Sequence, residues 1–178
     1  MLQRAPAANS PADTGRSLTV LRTLLTDISG HAAVESYGSV RIGGVPFLVG
    51  RLTTGHGTGY AQTAYVFVPS DGAGGVHRPV WSALAAERLD MSGASSVPPY
   101  RVAGCVSLVG DSLLAYDLAP VDAGGRARLD QAARQPAAAD DSLLRPPGLY
   151  RWEPAARTFR RVAPLDPAAA GRCEKGSA

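Results

Sequence analysis

Lysine is almost missing from this chain: of its 18 basic residues, Lys175 alone is lysine and the rest are arginine. Cysteine is nearly as scarce. The two present, Cys105 in an apolar run and Cys173 near the end, give no disulfide framework, and a reducing compartment suits them. The three histidines, His31, His56 and His77, share no metal-ligand spacing with each other or with the cysteines, so no structural zinc site is expected. No apolar run approaches the roughly 18–20 residues that cross a bilayer as a helix. The opening residues MLQRAPAANSPADTG carry no hydrophobic segment of the secretory kind. No repeat of fixed period is present. The expectation from these absences is a soluble, cytoplasmic protein with no membrane partner, no metal and no cofactor.

What is there is a globular composition. The chain has 178 residues, 45% hydrophobic and 19% charged, with 20 glycines and 14 prolines that imply many turns. That length supports one domain with a true core. Residues 1–15 read as a flexible lead-in, 16–163 as a single α+β domain, and 164–178 as a flexible tail. The formal charge is +3. Arginine's planar fork suits bidentate phosphate contacts, although a GC-rich coding sequence also favours Arg, Ala, Gly and Pro.

The stretch YGSVRIGGVPFLVGRLTTGHGTGYAQTAYVFVP organises the rest. It reads as strands over 33–42, 45–53 and 60–68, with a tight Gly43-Gly44 turn and a glycine-rich loop at 55–59. Pro46 suggests an edge position or the first residues of pairing. Leu18, Leu21, Leu25 and Ile28 mark an amphipathic helix over 16–29 that would cover one sheet face. Trp81, Leu84, Ala85 and Leu89 give helical spacing over 79–91. A second hairpin spans 100–109 and 112–120 around Gly110-Asp111, a short helix 127–135, and a last hairpin 149–152 and 158–162. The order favours an α+β fold: a mostly antiparallel β-sheet or partly open β-barrel built from hairpins, with two or three covering helices.

Several short motifs carry chemistry elsewhere. Gly110-Asp111-Ser112-Leu113 resembles the first block of the GDSL family of serine esterases and lipases, which implies Ser112 as nucleophile. That family draws its base from a histidine late in the chain, and none follows Ser112 here, while a Gly-Asp hairpin turn accounts for the same letters. His56-Gly57-Thr58-Gly59 is similar to an active-site motif of ketosynthases, but no cysteine nucleophile segment accompanies it. The same glycines lack the Lys-Ser/Thr of a phosphate-binding loop. Asp140-Asp141, which with Glu153 could be offered as a metal or acid–base cluster, reads instead as a solvated turn or a helix cap.

The terminal hairpin stands out. Arg145, Arg151, Arg157, Arg160 and Arg161 lie within seventeen residues beside one acid, Glu153, with Tyr150, Trp152 and Phe159 interleaved. Basic and aromatic side chains on a β-surface are what single-stranded nucleic acid binding uses, arginine on phosphates and rings against bases. Those eight residues form the expected nucleic-acid contact surface, for DNA or RNA, extended by Arg41, Arg51 and Arg101 if their strands lie alongside. The opposing explanation is that the rings enter the core and the arginines shield an edge strand. The functional expectation is a non-enzymatic nucleic-acid-binding domain. The alternative is a protein-interaction or homo-oligomeric module that self-associates through a strand edge, and a small hydrolase using Ser112 or His56 ranks below both.

Overall fold

A computed structural model describes residues 31–56, 59–70, 78–90, 97–134 and 143–166. The helix expected over 16–29, Asp140-Asp141, His77, Cys173 and Lys175 lie outside these residues.

Eight strands form one antiparallel sheet in which every strand pairs with its sequence neighbour, in the order β1 to β8. They are β1 (His31–Ile42), β2 (Val45–His56), β3 (Tyr60–Pro69), β4 (Trp81–Leu89), β5 (Tyr100–Val109), β6 (Leu113–Pro120), β7 (Gly148–Glu153) and β8 (Thr158–Ala163). Between β6 and β7 lies α1 (Ala123–Arg134). The antiparallel, hairpin-built sheet was legible in the sequence; the number of covering helices was not, since α1 is the one helix among the described residues.

Local chemistry sets the turns. Gly43 and Gly44 take φ of 57° and 80°, the left-handed pair that matches a two-residue hairpin to the twist of its strands. Arg41 Nη1 donates to Gly44 O at 2.7 Å and closes that turn. Pro46 falls at the first pairs of β2, opposite Arg41.

The segment 79–91 corrects the reading of a helix, because Trp81–Leu89 is the strand β4. Two features hide its period of two. It pairs on both sides, with β3 and β5, and its side chains are buried on both faces. A bulge then inserts Ala85 between Ala64↔Leu84 and Thr63↔Ala86, shifting the alternation by one residue. Trp81, Leu84, Ala85 and Leu89 thereby imitate helical spacing.

The sheet curls without closing into a barrel. Gly43 N, in the first hairpin turn, donates to Asp111 O in the β5–β6 turn at 2.7 Å. Phe47 of β2 meets Trp152 of β7 at 5.0 Å and Phe159 of β8 at 5.4 Å between ring centroids. All three phenylalanines and both tryptophans of the chain sit in this concave core, with Tyr116 and Tyr150 beside them. Edge-on contacts such as Phe67–Trp81 at 5.2 Å add about 0.5–1.5 kcal/mol each beyond area burial.

The helix α1 begins earlier than residue 127 because Asp122 caps it: its Oδ1 accepts from Gly125 N at 2.6 Å and from Arg101 N at 3.1 Å. Gly124 and Gly125 are what lets the helix rest on the start of β5. A Cβ at Gly125 would stand 1.9 Å from Arg101 O.

Cys105 is disulfide-bonded, which corrects the expectation of separate thiols.

Candidate functional site

The terminal hairpin forms as its alternation predicts, but the curl of the sheet decides which face meets water. Trp152 pairs with Phe159 and Tyr150 with Arg161, and this side faces the concave core. Tyr150, Trp152 and Phe159 retain only 4%, 7% and 6% of their exposure. The expectation of rings open to stacking is therefore corrected: no base can reach a ring face already packed against Phe47, Phe67 or Trp81.

The cations divide. Arg151 and Arg160 are direct cross-strand partners on the opposite, solvent face, and both are exposed. Arg160 Nη1 lies 3.5 Å from Glu153 Oε1; among the described residues no acid is in ion-pair range of Arg151 or of Arg157. Arg157 sits in the exposed turn at φ 48°. Arg161 folds back along the edge, its Nε and Nη2 donating to Pro147 O at 3.1 and 2.7 Å. Arg145 leaves the group altogether: it is half-buried, and its Nε donates to Ser82 O on β4 at 3.0 Å.

Of the expected extensions, Arg41 is at the right end, since the Gly43–Asp111 bond brings the β1–β2 turn to the β5–β6 turn beside β7. Arg51 is committed elsewhere, 3.4 Å from Glu35 and 5.7 Å over the Tyr65 ring. Arg101 is the second residue of β5, at the far end of that strand, and pairs with Asp90 at 3.4 Å.

Ser112 lies in the exposed β5–β6 turn, where Gly110 takes φ 60° and Asp111 O accepts the Gly43 bond. The GDSL letters thus spell a hairpin turn. Among the described residues no group of three or more His, Cys, Asp or Glu side chains is placed to hold a metal.

A cluster that sequence reading missed lies under α1. Glu87 of β4 is 2% exposed. Its Oε1 accepts from Tyr100 Oη at 2.7 Å, Tyr60 Oη at 3.4 Å and Arg128 Nε at 3.3 Å, while Oε2 is buried with no hydrogen bond. Burial first, and then the adjoining carboxylate, push the Tyr100 phenol up to about 12, and raise that of Tyr60 as well. Phenols held this firmly protonated donate hydrogen bonds and are poor bases near neutrality. The arrangement therefore clamps the helix to the sheet. The one sequence signal was an acid directly after the apolar run ALAA, Ala83–Ala86.

A second polar group sits on β1 to β3, where Glu35 accepts from Thr53 and Thr63 and pairs with Arg51.

No family model, curated protein or solved structure matches this chain. No helix among the described residues is long and apolar enough to cross a membrane.

Proposed function

We propose that this protein binds nucleic acid through the phosphate backbone, without catalysis, using the guanidinium groups of the terminal hairpin. The observation that carries the reading is the Arg151–Arg160 pair. Like charges directly opposite on a sheet destabilise it, and a bridging phosphate turns that cost into a bidentate contact for each side chain. Arg157 and Arg161 lie on the same hairpin and Arg41 at the same end of the sheet, which supports a strip of positive charge along a strand of DNA or RNA. The buried rings take no part, so the binding is indifferent to base sequence.

Anisotropy of labelled single- and double-stranded oligonucleotides tests this. With about four phosphates neutralised on a single strand, raising salt from about 50 to 200 mM weakens binding about 50-fold. Arg151→Gln with Arg160→Gln lowers the slope of log affinity against log salt by about 1–2. Trp152 emission stays unquenched on binding, because its ring is enclosed. Absence of binding at low salt, or affinity untouched by the double substitution, overturns the proposal.

A further inference from the structure

The two edges of the sheet are built differently. β8 is six residues long, carries Arg160 and Arg161, and has its pairing broken by a register shift next to Tyr150. Short length, cations and a bulge are the devices by which edge strands avoid other strands. β1 has twelve residues, no proline and no lysine, and its charged side chains are Glu35 and Arg41 alone. From Ala33 to Arg41 every side chain is exposed or half-buried, and Tyr37 keeps 38% of its surface. Among the described residues no strand lies along its outer edge. Its own irregularity is confined to Glu35, which leaves Ser36–Ile42 as an unbroken run paired to β2.

We infer that this edge is the dimer interface of the protein, and that its occupant is β1 of a second copy. Pairing β1 with β8 of a neighbour would run head to tail into a ring or a filament, and the arginines and bulge of β8 oppose it. Pairing β1 with itself closes on a two-fold axis, and a two-fold normal to the sheet makes the pairing antiparallel. Full overlap of the regular run centres that axis on Ser39. Ser36 then faces Ile42 of the second copy, Gly38 faces Val40, and Tyr37 faces Arg41. The last contact occurs twice, on the face opposite the aromatic core, and sets a cation against an exposed ring. The same register keeps the two Arg41 side chains apart. The backbone bonds along the seam supply the affinity, and the Tyr37–Arg41 pairs fix the register.

This inference does not depend on nucleic acid binding. Its test therefore uses nuclease-treated full-length protein, washed at high salt. Light scattering coupled to size exclusion gives about 37 kDa, twice the chain mass of 18.4 kDa. Tyr37→Lys with Ser39→Lys sets like charges against each other at three points and removes both ring contacts, weakening the dimer on the order of 100-fold. Both positions are exposed, so circular dichroism of the variant matches the parent. Ser39→Cys cross-links into a covalent dimer on oxidation, because position 39 meets itself at the axis. A mass of 18.4 kDa at every concentration overturns the inference. So does a dimer that survives the lysine pair or refuses the cross-link. An edge that captures an unrelated extended peptide while the chain stays monomeric also overturns it.

Discussion

Glu87→Ala is the substitution that weighs most heavily on the architecture under α1. The carboxylate it removes is 2% exposed and holds three donors from three different elements: Tyr60 on β3, Tyr100 on β5 and Arg128 on α1. Removing one partner of a buried ion pair costs about 3–5 kcal/mol, because the surviving charge is left in a poor solvent. Arg128 keeps only 18% of its side-chain exposure, so water offers it little relief. Two phenols lose their acceptor as well. The expected loss is therefore about 4 kcal/mol, a large share of the roughly 5–15 kcal/mol that holds a domain of this kind together. Urea unfolding followed by Trp81 and Trp152 emission measures it, since both indoles lie in the same core and report global unfolding. Adding Arg128→Met to Glu87→Ala removes the half-buried charge that Glu87 balanced and should recover about 2 kcal/mol, a coupling visible only in the double-mutant cycle. A cost under about 1 kcal/mol for Glu87→Ala, or strict additivity with Arg128→Met, refutes the reasoning.

Two further outcomes follow from close packing and from the tyrosines. Gly104→Ala would drive a Cβ to 1.9 Å from Leu84 O, a backbone atom that cannot rotate away, so a loss of about 2–4 kcal/mol is expected in the same urea assay; a loss under about 1 kcal/mol would mean that β4 and β5 are not packed so tightly. Tyr60, Tyr65, Tyr100, Tyr116 and Tyr150 all have phenols raised above their ordinary value, burial being the first cause in each. The native state then holds protons that the unfolded chain releases above about pH 10, so stability is full below that pH and falls as pH rises toward about 12, the Tyr100 value. Tyrosinate absorbance should appear together with unfolding, and free titration of these five phenols in the folded protein would refute the assignment.

What could be read in the sequence was local. The hairpins of β1–β2, β5–β6 and β7–β8 announce themselves through Gly43-Gly44, Gly110-Asp111 and the Pro154 turn, each set between alternating strands. β4 could not be read, because its bulge at Ala85 and its two buried faces erase the alternation that identifies a strand. The start of α1 was hidden by Gly124-Gly125, whose purpose is visible only beside Pro99 and Arg101. The Glu87 cluster assembles residues from β3, β4, β5 and α1, and no short window contains them. The terminal hairpin shows the same limit. Its strands and alternation were legible, yet the burial of Trp152 and Phe159 depends on Phe47 arriving from β2 through the curl of the whole sheet.

The strand order carries a consequence for how the chain is made. Each strand finds its partner immediately upstream, so during synthesis the sheet can lengthen one ribbon at a time without waiting for a distant segment. The first four strands carry long ladders, whereas β7 joins β6 through four residue pairs. The final ribbon brings Trp152 and Phe159, and until it emerges Phe47 and Phe67 lack those ring partners. A growing chain halted before Gly148 would therefore expose an aromatic surface to chaperones, and the sixteen residues from Gly148 through Ala163 act as the stopper that seals it.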